Sequence, residues 1–286
     1  MIIDLHTHST ASDGTDSPAE LVAKAAAANV AILGLTDHDT VSGWAEAADA
    51  LPAGMTLLPG AEFSCVWRDE HAGVQISLHL LGYLFDPDDR GLRAERARLH
   101  TARLHRGEAI VQKMVADGLP VSWSQVRELA GSSPVGRPHI GRVLVENGAV
   151  DSVDEAFREL LNSASRYYVR KADTEAFAAL DLVRSAGGVP VFAHPLARRR
   201  GRVVSDQVIA AMTAAGLVGL EVDHPDHSAA DRAHLRGLAA ELGLVVTGAS
   251  DYHGTNKPTQ LAACTTDPDA YQALVARHTA RSPIVK

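Results

Sequence analysis

The stretch that decides the fold is Ile2-Ile3-Asp4-Leu5-His6-Thr7-His8, followed after a short loop by Ser17-Pro18-Ala19-Glu20 and an alanine-rich run to Ala28. The first part reads as a strand. A period of two places Asp4, His6 and His8 on one face and Ile3, Leu5 and Thr7 on the other. The second part reads as a helix with a marked beginning: Ser17 as N-cap, Pro18 in the first turn and Glu20 completing a Ser-x-x-Glu capping box. A strand and then a helix is the unit that the rest of the chain repeats.

Further strands are expected at Val30–Thr36, Met55–Glu62, Val74–Leu84, Val189–His194, Leu217–Asp223 and Leu244–Asp251. Helical periodicity lies between many of them, at Thr174–Ala186, Asp206–Ala215, Ala229–Leu242 and Pro268–His278. Such alternation points to an α/β fold around a parallel sheet, open or closed into a barrel. The rhythm breaks after the fourth strand. Residues 89–164 carry a long charged helix from Arg90 to about Asp117 and shorter helical segments near Ser122–Ala130, Arg137–Asn147 and Val153–Leu161. This is expected to be an inserted helical cap, with residues 1–88 and 165–286 forming the main domain.

Composition narrows the function. The 286 residues are 46% hydrophobic and 22% charged, as in an ordinary globular protein. No apolar run is long enough to span a membrane, and Met1-Ile2-Ile3-Asp4 does not begin a signal peptide. Cys65 and Cys264 are too few for a disulfide framework, so a reducing cytoplasm is the expected compartment. A net charge of −8 argues against a broad grip on long nucleic acid. It does not argue against a small phosphorylated substrate, because bound cations invert local charge.

Nine histidines and carboxylates recur along the expected strands, mostly at their ends, or in the loops just after them: His6, His8, Asp13, His38, Glu62, His79, His194, Asp251 and His253. In parallel barrels and open α/β sheets, functional groups gather at the carboxyl ends of the strands. Each residue alone is more often a hydrogen-bonded rim residue than a ligand. Together they would be costly to bury without a cation. Imidazole and carboxylate without thiolate suit Zn²⁺, Mn²⁺ or Fe²⁺, and nine groups are too many for one ion. Two ions fit and three fit more comfortably, with Glu62 as a bridge. Clustered divalent ions serve hydrolysis, above all at phosphorus, where one ion turns a bound water into hydroxide and others hold the phosphoryl oxygens.

These residues lie in motifs that resemble the polymerase and histidinol phosphatase (PHP) superfamily of phosphoesterases. The matching stretches are Asp4-Leu5-His6-Thr7-His8-Ser9, Ser12-Asp13-Gly14, Gly34-Leu35-Thr36-Asp37-His38-Asp39 and Pro59-Gly60-Ala61-Glu62-Phe63-Ser64. They continue with His79-Leu80-Leu81-Gly82-Tyr83, Ala193-His194-Pro195 and Ser250-Asp251-Tyr252-His253. The resemblance implies a distorted seven-stranded β/α barrel and a trinuclear centre of divalent ions, most often Mn²⁺, with Fe²⁺ or Zn²⁺ as alternatives. It implies His6, His8, Glu62 and Asp251 around one ion, Asp13, His38 and His253 around a second, and Glu62, His79 and His194 around a third.

The insertion, with Gly136-Arg137-Pro138-His139-Ile140 and then Tyr167-Tyr168-Val169-Arg170-Lys171, resembles a branch that removes the 3′-phosphate of nucleoside 3′,5′-bisphosphates. A related member of that branch trims short RNA 5′ ends. On this basis Arg137, His139, Arg170 and Lys171 are the expected substrate residues; Arg137 stands at a helix start, where N–H groups also favour an anion. His224 and His227 follow the sixth expected strand, which supplies no ligand, and either is a candidate general acid. Arg198-Arg199-Arg200 and Arg202 read as a solvated loop. His71, His100, His105, His234 and His278 read as structural or exposed.

The leading expectation is therefore a phosphomonoesterase acting on a small nucleotide, with no membrane contact and no obligate protein partner. A nuclease acting on short RNA or DNA ends would use the same metals. An amidohydrolase also begins with His-x-His, but Asp13, His38 and His253 weigh against it. A non-catalytic metal-stabilised module would tend to lose ligands, and here all nine positions are filled.

Overall fold

The computed structural model describes residues 1–69, 73–131, 133–170 and 172–286. In chain order the elements are β1 (Ile2–Thr7), α1 (Pro18–Ala27), β2 (Val30–Leu35), α2 (Trp44–Ala50), β3 (Thr56–Asp69) and β4 (Val74–Tyr83). Helices α3 (Arg90–Ala116), α4 (Trp123–Ala130), α5 (Arg137–Glu146) and α6 (Val153–Glu159) follow without an intervening strand. The chain returns through β5 (Thr174–Glu175), α7 (Ala176–Ser185), β6 (Val189–Ala193), α8 (Asp206–Ala214) and β7 (Gly219–Asp223). It ends with α9 (Ala229–Leu242), β8 (Val245–Gly248), α10 (Pro268–Val275) and β9 (Ile284–Val285).

Seven strands form one path in the order β1-β2-β3-β4-β6-β7-β8, with β5 and β9 as short additions beside β3. The outermost strands of the path are joined by an isolated parallel bridge, Thr7 with Tyr252. Backbone hydrogen bonds from His8 to Tyr252 and from Asp251 to His6 run beside it.

The expectation of a parallel sheet needs correction: β4 is antiparallel to both β3 and β6. The cause lies in β3, which does not stop at Glu62. The pattern Phe63-Ser64-Cys65-Val66-Trp67 continues the strand to Asp69, and the ladder with β4 runs from Gly60–Tyr83 to Asp69–Val74. A long continuous ladder of this kind lets β4 turn straight back, where a parallel neighbour would need a crossover helix. Thr174 and Glu175 were expected to open a helix. They pair instead with Cys65 and Val66, and Glu175 then caps α7 by accepting from the N–H groups of Phe177 and Ala178. Helix α2, which the sequence reading missed, is only seven residues long. The capping box on α1 forms as expected, with Glu20 N–H donating to Ser17 Oγ at 3.2 Å and Ser17 N–H to Glu20 Oε2 at 2.8 Å.

Apolar residues divide by face. Leu21, Val22, Leu180, Ile209 and Leu235 pack from the helices onto Leu33, Leu57, Phe192 and Leu220 of the sheet. Ile3, Leu5, Ile32, Leu58, Leu81 and Val191 form a second cluster on the other side of the strands. The insertion has a third cluster drawn wholly from its own helices and the return segment, including Ile110, Met114, Val126, Ile140 and Tyr167. It is tied to the main domain both by Leu92 of α3, which joins the main core, and by polar contacts. Arg103 of α3 donates from Nε to Asp39 Oδ2 at 2.7 Å and from Nη2 to Ser64 Oγ at 2.8 Å, with both charged groups buried.

Candidate metal centre

The nine expected ligands converge in one cluster. His6 and His8 present their Nε2 atoms 3.0 Å apart, each 3.2 Å from Glu62 Oε2. Asp251 Oδ1 lies 3.5 Å from His6 Nε2 and 3.4 Å from His8 Nε2. A second set surrounds Asp13, whose Oδ1 is 3.4 Å from His253 Nε2 and 3.7 Å from His8 Nδ1, while Oδ2 is 3.7 Å from His38 Nε2. A third gathers on Glu62 from the other side: Oε1 is 2.6 Å from His79 Nδ1 and 2.9 Å from His194 Nε2, and Oε2 is 3.2 Å from His38 Nδ1.

Three overlapping groups emerge whose donor atoms lie within 4.8 Å of one another: His6, His8, Glu62, Asp251; His8, Asp13, His38, His253; and His38, Glu62, His79. The grouping differs from the expected partition in that His8 and His38 each face two sets through their two ring nitrogens. His194 touches Glu62 but stands outside the third group. His79 arrives from the middle of an antiparallel strand, opposite Ser64, and not from a carboxyl end.

These residues fit cations by two observations. Asp251 Oδ1 and His38 Nδ1 are buried and accept no hydrogen bond, a costly state for a carboxylate oxygen unless a cation takes it. Burial is the largest influence on the Glu62 carboxyl and pushes it upward, yet His79, His38 and His6 together hold it well below the usual carboxylate range. Burial likewise raises Asp251, and Lys257, Arg200, His253 and His6 outweigh it. His38, in contrast, is pushed down by burial to about 3 and so stays neutral with a free lone pair.

The ligands are aimed by partners behind them. His6 Nδ1 shares a 2.9 Å hydrogen bond with Glu221 Oε1, which leaves Nε2 facing the cluster. Glu221 Oε2 accepts from the His194 N–H at 2.9 Å. His253 Nδ1 meets the Asp251 carbonyl at 2.9 Å, which turns Nε2 toward Asp13. Asp37 accepts from Ser9 and Ser12 and so folds the loop that carries Asp13. The backbone is strained here as well: Asp39, His194 and Asp251 have positive φ of 57°, 32° and 53°, conformations that non-glycine residues hold only where the surroundings impose them.

The remaining expected site residues are spread more widely. His224 Nε2 lies 3.3 Å from Asp251 Oδ2, and its Nδ1 accepts from the Asp226 N–H at 3.0 Å. His227 has both ring nitrogens on the backbone: Nδ1 against the Val222 carbonyl at 2.8 Å and Nε2 accepting from the Leu196 N–H at 3.2 Å. His139 is buried, with Nδ1 accepting from the Gly136 N–H at 3.0 Å. Arg137 starts α5 and donates to the Leu161 carbonyl at 2.7 Å. Arg170 is exposed, and Lys171 lies outside the described residues, as does His71.

Three residues that matter here were missed. Arg200 lies in the exposed loop that the sequence suggested, yet its guanidinium turns inward: it donates to Asp251 Oδ2 at 2.5 Å and Asp226 Oδ2 at 2.8 Å, and its Nη1 lies 3.1 Å from His194 Nε2. Lys257 Nζ is 2.7 Å from the same Asp251 oxygen. Nothing local marks either one. Glu221 did carry a signal, as a lone carboxylate between Leu220 and Val222 in an otherwise apolar strand.

A mixed α/β fold with a buried histidine–carboxylate cluster that could bind metal is the arrangement of a metal-dependent phosphoesterase, and the comparisons agree. The chain belongs to the PHP family: the PHP domain matches residues 4–172. It is 34% identical over 253 residues to the 3′,5′-nucleoside bisphosphate phosphatase of Chromobacterium violaceum, covering 88% of this chain and 87% of that protein. It is 32% identical over 251 residues to a 5′-3′ exoribonuclease of Haemophilus influenzae, covering 87% and 89%. The crystal structure of a metal-dependent phosphoesterase from Bifidobacterium adolescentis superposes with a TM-score of 0.89 at 34% identity, over 96% of each chain. Among the described residues no helix is long and apolar enough to cross a membrane.

Proposed function

We propose that this protein hydrolyses the 3′-phosphate of nucleoside 3′,5′-bisphosphates, giving phosphate and a 5′-nucleotide. The observation that carries the reading is Glu62, a single buried carboxylate whose two oxygens face five histidines, His6 and His79 on β1 and β4 and His8, His38 and His194 just past the ends of β1, β2 and β6. We read the fold as a distorted barrel with residues 89–164 as its cap. Three divalent ions, Mn²⁺ in the first instance, would be held by His6, His8, Glu62 and Asp251, by Asp13, His38 and His253, and by Glu62, His79 and His194. Such ions supply a water of lowered pKa and positive charge for the phosphoryl oxygens.

The chain's own groups do the rest. His224 accepts at Nδ1, so its proton sits on Nε2, directed at Asp251 on the rim of the cluster. That proton is available to the leaving oxygen. Both ring nitrogens of His227 face the backbone, whereas His224 Nε2 faces Asp251, so we assign the acid role to His224. Arg137, His139, Arg170 and Lys171 are assigned to the substrate, with the 5′-phosphate on the cap side.

A second reading is removal of nucleotides from short oligonucleotides by the same centre. It is favoured by a cleft of about 450 Å³ between α5, α6 and the loop at Thr255–Pro258, lined by Arg142 and by the same Lys257 that touches Asp251. Protein loaded with Mn²⁺ and given adenosine 3′,5′-bisphosphate should release phosphate and adenosine 5′-monophosphate. No turnover by a fully metallated sample, with activity on short oligonucleotides in its place, would overturn the phosphatase reading in favour of the second.

A further inference from the structure

We propose that Thr15 and Asn256 are positioning residues for the second ion: they clasp the loop that carries Asp13 to the loop that carries His253, and retention of that ion, unlike the others, depends on the clasp. The proposal rests on reading Asp13, His38 and His253 as ligands of one ion and adds two residues that would not themselves bind it.

Asp13 follows β1 and His253 follows β8, near opposite ends of the chain, and Asp13 Oδ1 lies 3.4 Å from His253 Nε2. Ligand atoms that share an ion must be held to within about 0.5 Å of their places. Three hydrogen bonds join the two loops. Asn256 Nδ2 donates to the Asp13 carbonyl at 2.7 Å, and the Thr255 N–H donates to Thr15 Oγ1 at 2.9 Å. The Tyr252 hydroxyl donates to Asp16 Oδ2 at 2.8 Å. The clasp therefore grips the His253 loop on both sides of the ligand, and grips the Asp13 loop at the ligand's own carbonyl. The Asp16 carbonyl accepts from the Thr10 N–H at 2.8 Å, which closes the Asp13 loop on itself.

No other tie can set the distance between these two ligands. Among the described residues, backbone hydrogen bonds between the two loops stop at His8 and Tyr252. The bond from His253 Nδ1 to the Asp251 carbonyl lies within one loop, and those from Ser9 and Ser12 to Asp37 reach a different one. The approach at the clasp is close. Gly254 has a φ of 67°, and a Cβ on it would lie 1.9 Å from Thr15 Oγ1, so only glycine fits there. Ligands of the other sets are fixed elsewhere, His6 by Glu221 and His79 by the ladder between β3 and β4. Loosening the clasp should therefore be felt by one ion.

The test is a Mn²⁺ titration of the full chain, with free Mn²⁺ followed by its electron paramagnetic resonance signal. Asn256→Ala and Thr15→Val should each weaken one bound ion by about ten- to a hundredfold and leave the affinity of the others as in the wild type. Thr15→Ser keeps the acceptor oxygen and should retain every ion. Thr15 stands on the loop opposite Lys257, so an effect of Thr15→Val does not pass through the contact of Lys257 with Asp251. Equal weakening of all ions would mark a general loosening of the fold. Unchanged titrations in both variants, or Thr15→Ser as weak as Thr15→Val, would mean that packing alone holds the loops. Each of these results overturns the clasp. A wild type that binds no Mn²⁺ would remove the metal centre and the clasp with it, a failure seen before any variant is compared.

Discussion

His6 and Glu221 lie 215 residues apart in the chain and share a buried hydrogen bond of 2.9 Å between ring Nδ1 and Oε1. The bond fixes which nitrogen of His6 carries the proton and hence which one is open to a cation. Glu221 also holds the His194 backbone, so one carboxylate aligns two of the proposed ligands.

Glu221→Gln keeps the shape but removes the charge that favours His6 with its Nδ1 proton. Metal affinity should fall by about ten- to a hundredfold, the usual cost of losing such a partner. Metal content after dialysis against graded chelator would register it. Wild-type retention in the variant would show that His6 is oriented by packing alone.

Metal removal should also be visible in stability. The cluster places carboxylates and imidazoles together with two buried atoms that accept no hydrogen bond, so cations that bind only the folded chain stabilise it by mass action. The melting temperature should rise with Mn²⁺ concentration, by an amount equivalent to about 2.7 kcal/mol at a hundredfold excess over the dissociation constant. A melting curve indifferent to Mn²⁺ and to chelator would contradict a folded-state metal site.

Arg103→Met tests the tie between the insertion and the sheet. The side chain is 8% exposed and its partner Asp39 is fully buried, so removing the guanidinium leaves a carboxylate charge with much of its compensation gone. The expected loss is about 3–5 kcal/mol in denaturant unfolding. Adding Asp39→Asn should cost far less than its single effect, because the two residues share one interaction.

His227 gives a pH dependence with a definite sign. Burial, with help from His224, keeps its imidazole below the ordinary histidine value against the opposing pull of the Val222 carbonyl and Glu221. The unfolded chain therefore takes up a proton near pH 6.5 while the folded chain does not. Stability is full above that pH and declines as pH falls toward the folded value, by at most about 1.4 kcal/mol per pH unit for one proton. Urea midpoints of His227→Gln between pH 7 and 5 should slope less than those of the wild type. Equal slopes would mean that His227 titrates normally in the folded chain.

Much of the candidate site was legible before folding was considered. His6 and His8 sit two apart on a strand, and Glu62, His194 and Asp251 stand at or near points where apolar runs stop; periodicity and chain order suffice to read such features. The order of strands and helices, the capping box at Ser17 and the helical character of residues 89–164 are local in the same sense, since each is set by side chains within a few positions.

What only the tertiary structure decided is pairing between distant residues. The reversal of β4 depends on a ladder with β3 that makes His79 a neighbour of Glu62. Arg200 looks like a solvated arginine in its own loop and becomes a partner of Asp251 only because β6 and β8, on either side of β7, end near the same cluster. Glu221, Lys257 and Arg103 belong to the same class. A charged side chain's meaning is set by what compensates it, and compensation comes across space from elements that sequence spacing does not bring together.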